Sequence, residues 1–332
     1  MGKRIPPRYG RNKRPAAKND LLSESASGED GLIISNYGQA LDVEDRSGNI
    51  HRCTPRKKIA NLVCGDKVLW LPTNDDQGVI IALQPRQTLL ARPDNNGNLK
   101  PIAANVDQLL VVIDPRSFTG PDHIKNGDPP LDTSLIDRYL VAAELSRIHA
   151  MIVINKTDLF NVADLERIRL FMEIYQDIGY NVLFTSCKKA SGFDELNEAL
   201  NGHISVFCGP SGAGKSSLVK TVFPDQDIRI GELSSSAGTG RHTTTLATLY
   251  RLSHGGALID SPGVRDFGLW HVGTAQIAQG FLEFQQYATN CRFADCSHTG
   301  EPDCAVEQAV KIQQVSPVRF ANYRRIVASL HH

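Results

Sequence analysis

Residues 204–217 read ISVFCGPSGAGKSS, and the reading of this stretch decides the fold. A five-residue apolar run ending at Cys208 leads directly into Gly209-Pro210-Ser211-Gly212-Ala213-Gly214-Lys215-Ser216. That spacing is the GxxxxGK[ST] pattern of a phosphate-binding loop set between a strand and a helix. Its glycines let backbone N–H groups turn inward around phosphate oxygens, where larger side chains would clash. Lys215 then neutralises the β and γ oxygens, and the Ser216 hydroxyl serves Mg²⁺. Ser217 opens the helix-period segment 217–221 and completes the candidate phosphate site.

Further apolar runs lie at 108–113, 150–154, 181–184 and 257–259. Between several of them, at 134–147, 162–178 and 193–200, apolar residues recur every three or four positions. Alternating strand and helix predicts an α/β domain with a mainly parallel sheet, whose ligands bind beyond the carboxyl ends of the strands. The motifs fall there. Asn155-Lys156-Thr157-Asp158 follows the second run. A carboxylate at Asp158 accepts both the N1–H and the exocyclic amine of guanine, a pairing adenine does not offer. Thr185-Ser186-Cys187-Lys188 follows the next strand, where Ser186 and Cys187 supply backbone donors to the guanine oxygen. Asp260-Ser261-Pro262-Gly263 follows residues 257–259. Asp260 holds Mg²⁺ through water and Gly263 offers its N–H to the γ-phosphate. The base motif precedes the phosphate loop, the reverse of the usual order.

Between that loop and Asp260 runs Gly238-Thr239-Gly240-Arg241-His242-Thr243-Thr244-Thr245. Such a tract is mobile until a γ-phosphate and Mg²⁺ capture one of its threonines. Val264 occupies the position where a glutamine would orient the attacking water, and an apolar side chain cannot. His242 is the nearest candidate in the tract for that role.

Residues 31–84 show five strand-like runs, at 31–36, 40–44, 49–54, 66–71 and 78–83, separated by turn chemistry. They predict a small closed barrel, with the oligonucleotide-binding (OB) type as one candidate; an SH3-like barrel fits the periodicity nearly as well. RNA contact and a purely structural appendage are both open for it. Residues 85–98 read as a linker. Residues 1–19 hold seven basic residues and no acidic one, which predicts a disordered basic arm. Net charge is zero, so any nucleic-acid signal is local.

No apolar run approaches the roughly 18 residues of a membrane span, and the basic start lacks a signal-peptide apolar region. A cytoplasmic protein without a membrane partner is expected. Of seven cysteines, Cys53, Cys64, Cys187 and Cys208 stand singly in apolar segments. The others form Cys291-x4-Cys296-x-His298-x5-Cys304. Three thiols and one imidazole suit a tetrahedral Zn²⁺ with no open position, hence a structural ion.

The succession of 155–158, 209–216, 241–245, 260–263 and the Cys/His cluster resembles the circularly permuted ribosome small-subunit-dependent GTPases (RsgA), over about residues 31–330. The resemblance implies a circularly permuted P-loop GTPase domain with an N-terminal OB-type barrel and a C-terminal helical zinc-binding domain. Boundaries fall at 1–30 for the arm, 31–92 for the barrel, 99–272 for the GTPase domain and 273–332 for the zinc domain. It implies a monomeric late maturation factor of the small ribosomal subunit, contacting its rRNA and hydrolysing GTP to GDP under stimulation by the subunit. By position, Thr244 is the Mg²⁺-binding switch threonine, His242 the catalytic histidine, and Cys291, Cys296, His298 and Cys304 the zinc ligands. Gly212 stands where potassium-activated permuted GTPases carry asparagine. Chain order adds that the segment after Gly263 runs directly toward the zinc domain, so movement of this switch is expected to reach that domain.

Overall fold

The computed structural model describes residues 28–74, 76–93, 98–117, 133–223, 247–253, 255–260 and 272–330. The greater part of the basic arm, the tract 238–245 with His242 and Thr244, and Ser261, Pro262, Gly263 and Val264 lie outside the described residues.

The barrel consists of β1 (Glu29–Asn36), β2 (Leu41–Glu44), β3 (Ile50–Pro55), β4 (Lys67–Asn74) and β5 (Gln77–Leu83). A meander would pair β3 with β4. Here β3 runs parallel to β5, and β4 closes antiparallel onto β1. The resulting order β1-β2-β3-β5-β4-β1 is the Greek-key closure of the OB barrel, which resolves the choice that periodicity left open. Alternation places Leu41 and Val43 of β2, and Val68 and Trp70 of β4, inside with Ile33, Cys53 and Ile80. Two barrel glycines face these side chains: a Cβ on Gly78 would lie 2.4 Å from Trp70 Cε3, and one on Gly31 2.4 Å from Val43 Cγ1 and 2.9 Å from Trp70 Cδ1.

Residues 85–98 are not a bare linker. β6 (Leu89–Pro93) pairs antiparallel with β7 (Leu99–Ala104), and Leu90 and Ala103 are fully buried. Pro93 ends β6, and residues 94–97, outside the described residues, fall between the two strands in the chain.

The nucleotide domain contributes β8 (Gln108–Ile113), β9 (His149–Ile154), β10 (Asn181–Phe184), β11 (Ile204–Cys208), β12 (Thr248–Arg251) and β13 (Ala257–Asp260). Their order is β10-β9-β8-β11-β13-β12, parallel except for β12. All six residues of β8, QLLVVI, are buried, as its apolar run from Leu109 to Ile113 requires of a central parallel strand. On one face Leu109, Val111 and Ile152 meet α1 (Ser134–Leu145) and α2 (Val162–Gln176). On the other, Leu110, Val112 and Phe207 meet α3 (Phe193–Leu200) and α4 (Lys215–Val222). β12 pairs with β1 at Ser35 and Thr248, joining barrel and nucleotide sheet edge to edge.

The C-terminal part holds α5 (Thr274–Gln279), α6 (Gln285–Ala288), α7 (Ala305–Lys311) and α8 (Pro317–Ala328). Ile277, Phe281, Phe284, Tyr323 and Ile326 pack there against Val141 of α1. Beside them Arg319 is fully buried. Its Nε and Nη2 donate to Glu283 at 2.8 and 3.0 Å, and its Nη1 donates to Asp137 of α1. Asp137 also accepts from Tyr175 and Asn322, at 2.8 and 2.7 Å. The C-terminal helical region is thereby locked to the α1–α2 face of the α/β domain.

Candidate nucleotide and metal sites

The phosphate loop springs from the buried end of β11. Gly209 (φ 130°) passes so close to β8 that a Cβ would stand 2.1 Å from the Val112 carbonyl oxygen. Gly214 (φ 96°) caps α4, and a Cβ there would lie 2.3 Å from Asn155 Nδ2. Both positions therefore demand glycine. Lys215 Nζ donates to the carbonyls of Gly209 and Pro210, each at 2.7 Å, which holds the ammonium over the loop. Ser216 sits half-buried in the first turn of α4. The first amides of that helix and the positive end of its dipole together favour an anion.

The base motif follows β9. Asn155, 1% exposed, donates from Nδ2 to the Ala213 carbonyl at 2.9 Å and accepts from Thr185 Oγ1 at 3.1 Å. It ties the phosphate loop, its own strand end and the β10 strand end together. Lys156 takes a left-handed backbone (φ 60°), and its Nζ reaches the Gly212 carbonyl at 2.5 Å and Asp114 Oδ2 at 3.0 Å. Thr157 Oγ1 donates to the Thr185 carbonyl at 3.1 Å.

Ser186 was expected to act through its backbone; its buried side chain has a further task. Its Oγ donates to Asp158 Oδ1 at 2.5 Å while accepting from Lys189 N at 3.1 Å. The Ser186 hydrogen bond holds the Asp158 carboxyl below the usual carboxylate range, so it is an ionised acceptor at neutral pH. Cys187 is half-buried, and burial pushes its thiol up, away from thiolate chemistry. Asp260 ends β13, beside β11. Along the carboxyl edge, base motif, phosphate loop and acid stand on β9, β11 and β13, separated through β8 by three strand steps. At ~4.8 Å per step this is roughly 14 Å, room for a nucleotide lying base to phosphate across the edge.

Asp114, just past β8, is part of this site and no motif pointed to it. It accepts from Lys156 and from Arg116.

The second site lies among α5–α8. The ligand atoms of Cys291, Cys296, His298 and Cys304 all fall within 4.8 Å of one another. His298 Nδ1 stands 3.6 Å from Cys291 Sγ and 3.4 Å from Cys304 Sγ. Edges of about 3.4 to 3.8 Å are those of a tetrahedron with zinc–ligand bonds of 2.0 to 2.3 Å, so the donor set fits zinc. Burial lowers the His298 imidazole, keeping it neutral as a ligand must be. Tyr323 donates to the Ser297 carbonyl, and Glu301 accepts from Ser297 N and Thr299 N at 2.7 and 2.8 Å. These bonds shape the turn that carries His298.

The model of the family described as RsgA GTPase matches residues 83–270, which include the base motif, phosphate loop and Asp260 in this permuted order. The chain belongs to the RsgA GTPase family. It is 42% identical to the "Small ribosomal subunit biogenesis GTPase RsgA" of Yersinia enterocolitica over 99% of this chain and 93% of that protein. The protein of the same name from Hahella chejuensis is also 42% identical, over 96% and 91%. Among solved structures, YjeQ from Thermotoga maritima superposes with a TM-score of 0.74 at 31% identity, covering 91% of this chain and 98% of that one. YloQ, described as a circularly permuted GTPase, gives 0.72 at 26% identity, covering 95% and 98%. The fold is thus a permuted GTPase domain with an OB barrel in front and a Cys/His cluster able to hold a metal behind, and the family's activity is GTP hydrolysis with Mg²⁺.

Proposed function

We propose that this chain hydrolyses GTP as a late maturation factor of the small ribosomal subunit, is stimulated by that subunit, and couples hydrolysis to release. The observation that carries the reading is the single edge on which Asp158, Lys215 and Asp260 converge, in a chain whose relatives are named for small-subunit biogenesis. In this reading Asn155, Lys156 and Asp158, with Ser186 and Cys187, receive guanine. Residues 209–217 and Gly263 hold the phosphates. Ser216 and Thr244 hold Mg²⁺ with Asp260 behind them, and His242 orients the attacking water. Cys291, Cys296, His298 and Cys304 hold one structural Zn²⁺. Their turn and the barrel are the faces turned to rRNA. The domain division in this reading is 31–92, 99–272 and 273–332; a core within the barrel supports the first boundary, while the C-terminal core takes in Val141 of α1. The protein acts as a monomer in the cytoplasm; among the described residues no helix is long and apolar enough to cross a membrane.

Sedimentation with purified small subunits tests the partner. Co-sedimentation is expected with a non-hydrolysable GTP analogue, falling with GDP and falling steeply with salt, as phosphate contacts require. Equal sedimentation in all nucleotide states would contradict the coupling.

A further inference from the structure

Asp114 lies between the base motif on β9 and the phosphate loop on β11, one residue past the end of β8. Its side chain is 5% exposed. Oδ2 accepts from Lys156 Nζ and from Arg116 Nη2, both at 3.0 Å. Oδ1 accepts from the Arg116 backbone N at 3.1 Å and from its Nε at 3.3 Å. Burial alone would raise this carboxyl; the hydrogen bonds from Arg116 and Lys156 more than offset it and keep the group ionised. The Arg116 guanidinium interacts favourably with Asp158 as well, so two acids and two cations balance around the base subsite.

The Lys156 ammonium is thus held from two directions, by Asp114 and by the Gly212 carbonyl of the phosphate loop. With both anchors its four-carbon stem is fixed across the gap between the two loops. With Gly212 alone, a long side chain with high rotamer entropy would swing about one contact. Among the described residues, the side chains bonded to Asp114 stand at this edge of the sheet, and none of them reaches into the hydrophobic core.

We propose that Asp114 is a positioning residue for guanine-nucleotide binding, fixing Lys156 so that its stem forms one wall of the base subsite. This rests on the reading of residues 155–158 as the base motif. Acting through Lys156, Asp114 governs affinity for GTP and GDP alike, because both share the base.

A double-mutant cycle on the full chain tests it, reading affinity for fluorescently labelled GDP and thermal unfolding in each variant. Asp114→Asn is expected to weaken GDP about 5- to 30-fold, the loss of a charge-assisted hydrogen bond. In a Lys156→Met background the same substitution is expected to change affinity less than about twofold, because its target is gone. A full-size loss in that background, or none in the parent chain, overturns the proposal. If Asp114→Asn does not fold, the cycle is read on Asp114→Glu, which keeps the charge but displaces the contact, with the same two outcomes deciding. Asp158→Asn in the same assay separates the two levels. If it fails to exchange guanine for xanthine preference, the base-motif reading falls and this proposal with it. If it succeeds while the cycle is additive, Asp114 alone is at fault.

Discussion

Asp158 and Asn155 belong to one four-residue motif yet do different work. Asn155 is enclosed, with both ends of its amide bonded to neighbouring loops, whereas Asp158 is half-exposed and held by Ser186. Asp158→Asn should therefore move nucleotide preference from GTP toward xanthosine triphosphate, which competition binding measures; unchanged preference would contradict the pairing. Asn155→Ala should instead loosen the phosphate loop and weaken all nucleotides without changing their order. Lys215→Ala is expected to lower GTP kcat/KM roughly 10²- to 10³-fold, the usual loss when a charge clamp on transferred phosphate is removed. The motif residues were legible because their chemistry lies in contiguous runs. Asp114 was not: its bond to Lys156 spans 42 positions of the chain, and an acid after a strand carries no signal by itself. Ser186 was half legible, its place in the site being readable but not its grip on Asp158.

At the scale of elements, β8 was readable because a central parallel strand carries a continuous apolar run, here residues 109–113, and α3 because its period is clean. The β6–β7 pair was hidden because Pro, Asn and Gly at 93–97 read as linker composition in the sequence. β12 was missed as well. Only four residues long, TLYR, it owes its place to pairing with β13 and β1, not to its own pattern. The barrel type was decided by the β3–β5 pairing, a long-range fact that periodicity does not encode. Trp70 gives Gly78 a packing reason beyond turn chemistry, and together with Val43 it crowds Gly31. Gly78→Val should force its side chain into the indole and destabilise the barrel by about 1–3 kcal/mol, read by chemical unfolding. Unchanged stability would mean that the Trp70 contact is not tight.

Across the whole molecule, the C-terminal region is bound to the nucleotide domain by a buried charge network that composition gave no hint of. Arg319 is fully enclosed between Asp137 and Glu283, with Phe281 and Tyr175 rings against its guanidinium at 4.5 and 5.3 Å. Arg319→Met would strand two acids in the interior, at a cost of about 3–5 kcal/mol, measurable as a lowered unfolding midpoint. This anchor ties the C-terminal Cys/His region to α1, so any movement passed on from the nucleotide acts on a body held at its α1 side. Metal analysis should find one zinc per chain, and chelation or Cys304→Ser should remove helical signal from α5–α8 while leaving GDP binding largely intact. Loss of both together would mean that the two regions fold as one unit. The central claim, a permuted GTPase driven by the small ribosomal subunit, is most directly tested by GTP turnover with and without purified small subunits. Strong stimulation that is absent with large subunits, and lost in Lys215→Ala, is the predicted result. Turnover unchanged by small subunits would contradict the account.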